Sequence, residues 1–86
     1  MNLPTLNITI EAFAAAAEAI GTRQQTLDLP QSCSITEAWA ALMKAHPQLQ
    51  DLDASIAFAI NNQLVDRGTI LQDGDRLAIL PPVSGG

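Results

Sequence analysis

One long stretch with helical periodicity stands among stretches that alternate, and this arrangement limits the fold more than any other feature of the chain. Ile35, Ala38, Trp39, Leu42 and Met43 recur at the spacing that lines one face of a helix. Ser34-Ile35-Thr36-Glu37 reads as a capping box, in which the serine hydroxyl and the glutamate carboxylate satisfy amides left unpaired at a helix start. Pro47 stops the helix after His46. The period of two appears elsewhere. Leu6, Ile8 and Ile10 oppose Asn7, Thr9 and Glu11; Leu27 and Leu29 oppose Thr26 and Asp28 up to Pro30; Ile56, Phe58 and Ile60 oppose Ser55, Ala57 and Ala59; Leu77 and Ile79 oppose Arg76, Ala78 and Leu80. One amphipathic helix covers one apolar sheet face. The expected class is α+β, a mixed sheet packed on one main helix. Its core comes from Leu6, Ile8, Ile10, Ile35, Trp39, Leu42, Ile56, Phe58, Ile60, Leu77 and Ile79.

The connections fit the same plan. Residues 13–20 are mostly alanine and predict a short helix closed by Gly21. Residues 24–29 predict a second strand that pairs with the first like a hairpin. Asn61-Asn62 tolerates the positive φ of a tight turn, with Leu64-Val65 as a short return strand. Asp73-Gly74-Asp75 marks a further turn. Residues 48–54 read as a loop tacked down by Leu49 and Leu52. A chain of 86 residues buries roughly 60 to 65 per cent of its unfolded surface, enough for one core. We therefore expect one domain over residues 1–80 and a flexible tail over 81–86.

Charge and composition exclude several functions. The net charge is -5, with Arg23, Lys44, Arg67 and Arg76 as the only Lys or Arg residues, which argues against binding nucleic acid. One cysteine, Cys33, and one histidine, His46, are too few for a structural zinc site, and no apolar run approaches the length of a membrane span. No membrane partner, no metal and a cytoplasmic location are expected. Cys33 just before the main helix has two readings, a thiol activated by the helix dipole or a packed side chain, and packing is favoured. Asp73 and Asp75 read as turn formers, and His46 as a helix C-terminal residue. A Gly-rich phosphate loop and a nucleophile elbow are both missing from the sequence.

Two features remain for function. Strand parity turns Ala57, Ala59, Ala78 and Leu80 away from the helix, and Phe13 with them if the first strand extends that far. A contiguous apolar set on an outer sheet face fits a partner surface better than open solvent. The chain then ends Pro81-Pro82-Val83-Ser84-Gly85-Gly86. The proline pair favours an extended exit from the sheet, and six residues reach roughly 20 Å. Two glycines make a thread thin enough for a narrow channel in a partner. A strand terminator followed by a frayed end is the plain alternative.

The ending Leu80-Pro81-Pro82-Val83-Ser84-Gly85-Gly86, preceded by Leu71-Gln72-Asp73-Gly74-Asp75-Arg76, resembles the family of small, sulfur-carrying molybdopterin synthase subunits within the MoaD/ThiS superfamily. The segment around Phe13 to Gly21 and the run Ala59-Ile60-Asn61-Asn62 extend the likeness over nearly the whole chain. The resemblance implies a ubiquitin-like β-grasp fold. It also implies that an adenylating activating enzyme uses ATP on the Gly86 carboxylate, and that a sulfur donor protein converts it to a thiocarboxylate. No cofactor would be bound. The large synthase subunit, in a heterotetramer, would take the tail and direct its sulfur to precursor Z, while Phe13, Leu64 and Leu80 would meet that subunit. Ala17 departs from an arginine often found there in the family. The diglycine also suits carriers for thiamin, tRNA thiolation or cysteine synthesis, and a modifier that forms isopeptides.

Overall fold

A computed structural model describes residues 5–81 of the chain. The expected tail beyond Pro81, including Pro82, Val83, Ser84, Gly85 and the Gly86 carboxylate, lies outside the described residues. Five strands, β1 (Thr5–Ala12), β2 (Gln24–Pro30), β3 (Ala57–Ile60), β4 (Gln63–Val65) and β5 (Arg76–Leu80), form one sheet in the order β2-β1-β5-β3-β4. The β1–β5 pair is parallel and the other pairs are antiparallel. Helix α1 spans Ala15–Ile20 and the main helix α2 spans Ile35–Ala45. The mixed sheet and single main helix are the α+β arrangement expected from the sequence, and they match the β-grasp fold that the resemblance implied.

Local chemistry explains the elements. The Ser34 hydroxyl accepts from the Glu37 amide at 3.2 Å and the Glu37 carboxylate accepts from the Ser34 amide at 3.2 Å, closing the capping box. Gly21 closes α1 at a φ of 91°, where its amide donates to the Ala17 carbonyl at 2.8 Å. Asn61 and Asn62 take φ of 50° and 72°, the pair of positive values that a two-residue hairpin turn matched to strand twist requires. Asn61 also ties that turn to β5, since its Oδ1 accepts from the Arg76 amide at 3.1 Å.

The inner face of the sheet carries Leu6, Ile8, Ile10, Phe58, Leu77 and Ile79, all buried against Ile35, Trp39 and Leu42 of α2. Two expectations change. Ile56 and Ile60 are only half-buried and pack at the margin of the core, because they lie near the two ends of β3. Residues 48–54 are not merely a loop, since a 3₁₀-helix spans Pro47–Leu52 and places Leu49 fully inside the core. Leu71, on the connector before β5, is buried as well. Cys33 is buried, and desolvation, followed by the nearby Glu37 carboxylate, pushes its thiol pKa up, the reverse of what an activated nucleophile needs.

Polar contacts fasten the 3₁₀-helix to the rest. Asp53 accepts from Trp39 Nε1 at 2.7 Å and from Arg67 Nη1 at 2.7 Å, and Arg67 Nη2 donates to the Asp53 carbonyl. The Arg67 guanidinium stands 5.3 Å from the centre of the Phe58 ring. The hydrogen bonds from Arg67, then Trp39, hold the Asp53 carboxyl below its ordinary value of 3.8. A depressed folded-state value stabilises the fold above the unfolded value, and that gain is lost as the pH falls through the folded one. Asp53→Asn is thus expected to lower stability at neutral pH and to flatten the loss of stability below about pH 4. Urea midpoints measured against pH check this; parallel curves for the two proteins would show no linkage through Asp53.

Candidate functional site at the root of the tail

The sheet register assembles the outer face residue by residue. Across β1, β5, β3 and β4 one row reads Glu11, Ala78, Ala59, Leu64, and the next pairs Leu80 with Ala57. Ala78 and Ala59 are small, so the row is a shallow floor between the longer side chains at its ends. Ala59 is buried although it lies outside the core, whereas Leu64 is 69% exposed. The other half of the face is polar, with Thr9 and Glu11 of β1 opposite Thr26 and Gln24 of β2. The boundary is an ion pair, Arg76 Nη2 to Glu11 Oε2 at 2.6 Å. The apolar half is therefore confined to β5, β3 and β4, and it runs along β5 to the point where the chain leaves the sheet.

The candidate interface residues lie around the point where β5 ends. Leu64 projects on the outer face and Leu80 is half-buried there. Phe13 is 46% exposed and directly follows the buried Ala12, the last residue of β1. That strand ends at Ala12, and Ala14 follows with a φ of 52°, which turns the chain into α1. Phe13 consequently lies at the rim of an apolar hollow of about 210 Å³ lined also by Ala15, Ala16, Leu52, Ile56 and Pro81. Ala16, Leu52 and Ile56 of its lining belong to the core or pack against it, so the hollow lies on the helix side of the sheet, whereas Leu80 alternates with the buried Ile79 and faces the opposite side. The tail leaves the domain between two apolar surfaces. A different depression of about 290 Å³, lined by residues including Ile60, Asn61 and Ile70, lies at the far end of β5.

Among the described residues no group of three or more His, Cys, Asp or Glu side chains is placed to hold a metal ion. His46 caps the end of α2, and Asp73 and Asp75 serve turns: Asp73 accepts from the Asn7 amide and Asp75 from the Gln72 amide, each at 2.8 Å. Ala17 is half-buried against the core and leaves α1 without a cation at that position. What the described domain offers is a rigid root with apolar surroundings for whatever follows Pro81.

A model of the ThiS family matches residues 10–86. The chain belongs to the ThiS family. This ThiS-family chain is 34% identical over 87 residues to the human molybdopterin synthase sulfur carrier subunit, covering 98% of this chain and 99% of the relative. Among solved structures it resembles SAMP1, a small archaeal modifier protein from Haloferax volcanii, with a TM-score of 0.79 and 32% identity over 93% of this chain and 99% of that one. It also resembles a chain in the complex of subunits 1 and 2 of the molybdopterin-converting factor from Helicobacter pylori, with a TM-score of 0.66 and 26% identity over 94% of this chain and 100% of that one. The resemblance read from the tail thus extends over the whole ThiS-family chain, and the β-grasp fold goes with it.

The Asp53 cluster and the helix-side hollow were missed by sequence reasoning. The signal for the first was weak, because Trp39, Asp53 and Arg67 are 14 residues apart at each step and share no period. A signal for the second existed in Leu49 and Leu52, whose spacing of three after a proline suits a 3₁₀-helix.

Proposed function

We propose that this protein is the sulfur-carrying small subunit of a molybdopterin synthase. The observation that carries the reading is the apolar half-face on β5, β3 and β4, which runs to the root of a Pro81-Pro82-Val83-Ser84-Gly85-Gly86 ending. The full-length likeness to the human sulfur carrier subunit supports it, and the Helicobacter complex supports a large-subunit partner. In this reading the Gly86 carboxylate attacks the α-phosphorus of ATP on an activating enzyme, giving an acyl adenylate and releasing pyrophosphate. A carboxylate is a poor acyl electrophile, and adenylation supplies the leaving group. Sulfide-level sulfur supplied by a sulfur donor then attacks the acyl carbon, AMP leaves, and a thiocarboxylate remains at Gly86. The tail enters the large subunit, and its sulfur passes to precursor Z. Catalysis belongs to the partners; this domain positions the reacting end, in a heterotetramer.

Incubation with activating enzyme, ATP and a sulfur source is expected to raise the intact mass by about 16 Da, the exchange of one oxygen for sulfur at Gly86. An unchanged mass rules the carrier reading out. The likeness to the archaeal modifier favours a second reading, in which the activated Gly86 carbonyl is attacked by a lysine amine to form an isopeptide. Gly86-linked peptides in a cell digest would distinguish it.

A further inference from the structure

The helix-side hollow has no part in the outer face, yet Pro81 lines it. It continues into a second depression of about 250 Å³, and the two share Ala15 and Leu52. The first part is apolar; the second is bordered by Glu18 of α1 and by Gln48 and Asp51 of the 3₁₀-helix. Among the described residues neither is lined by an arginine, lysine or histidine. Arg67 and Arg76 are engaged with Asp53 and Glu11. The groove therefore presents an apolar hollow and, one side chain along, two exposed carboxylates that no lining cation offsets. The apolar hollow has a volume of about 210 Å³, room on the scale of a side chain.

We propose that the large subunit grips the root of the tail from both faces of the sheet. One of its apolar side chains fills the hollow beside Pro81, and an adjacent arginine or lysine lies against Glu18 and Asp51. Two features point to this occupant. The groove adjoins the outer face proposed for that subunit, since Pro81, which lines the groove, directly follows Leu80 of that face. Its charge also calls for a cation, and complementary charges at an interface fix register and exclude wrong partners. The inference rests on the synthase reading and extends it: the outer face supplies apolar area, and the groove selects which large subunit fits.

The test is calorimetric titration of the full chain with its large subunit at low and high salt. Ala15→Phe fills the groove from an exposed position shared by both hollows, and Glu18→Arg with Asp51→Arg reverses its charge. Ala15→Phe is expected to weaken binding about tenfold or more at any salt concentration, as blocked central pockets do. The double reversal is expected to weaken it about tenfold at low salt, with the loss shrinking as salt screens the repulsion. Thermal unfolding checks the fold of each variant, and the double reversal at two exposed sites decides the matter if Ala15→Phe folds poorly. A wild-type complex whose affinity stays within about twofold in the variants overturns the groove alone. No wild-type complex at all overturns the groove and the synthase reading together.

Discussion

A chain that lacks only Gly86 is expected to lose synthase reconstitution by about a hundredfold or more while unfolding at the temperature of the intact protein. Among the described residues the core runs from Leu6 to Ile79, and a glycine has no side chain to add to it. Function responds differently. Removing one residue draws the carboxyl back by about 3.3 to 3.6 Å, the span of one extended residue. Misplacing a reacting atom by about 1 Å already costs on the order of a hundredfold. Gly85 would still end in a carboxylate, so adenylation of the shortened chain can survive where sulfur delivery does not. Precursor conversion by the reconstituted synthase, measured with both chains, gives the answer; retention of full activity would mean that the terminal position is not the reactive one.

The largest effect on stability is expected from Trp39→Ala. Trp39 is 1% exposed, meets Phe58 edge to face at a centroid distance of 5.5 Å, and donates to Asp53 at 2.7 Å. Truncating a buried tryptophan costs about 3 to 5 kcal/mol. Domains have about 0.05 to 0.15 kcal/mol of stability per residue, so this is a large part of what 86 residues can supply. The melting temperature should fall by about 15 °C or more. Trp39→Phe keeps a ring against Phe58 and loses the indole donor, and should cost only about 1 kcal/mol. Thermal unfolding followed by circular dichroism separates the two; equal losses would place the contribution of Trp39 in its hydrogen bond alone.

What the sequence revealed was whatever is encoded locally. The alternation of Leu6, Ile8 and Ile10 follows directly from the pleat, the Ser34 and Glu37 pair from unpaired helix amides, and Asn61-Asn62 from the need for positive φ. Contacts between distant segments were hidden. Leu71 enters the core from a connector with no periodicity, and Asp53 is recruited by Trp39 and Arg67 across turns that carry no repeat. The outer face was legible for the same reason as the core, since one register serves both sides of a sheet.

The position of β5 has a mechanical consequence. It is not an edge strand: β1 holds it on one side and β3 on the other, with Ala12 opposite Ile79 and Ala57 opposite Leu80 right up to the exit of the chain. A partner that draws the C-terminus into a channel pulls along the strand axis, and the ladders on both flanks bear the load at once rather than parting one bond at a time. The same tug on β2 or β4 would peel an edge. The first and last strands of the chain lock each other in the centre of the sheet, so the arm can be hauled taut without unravelling the domain that carries it.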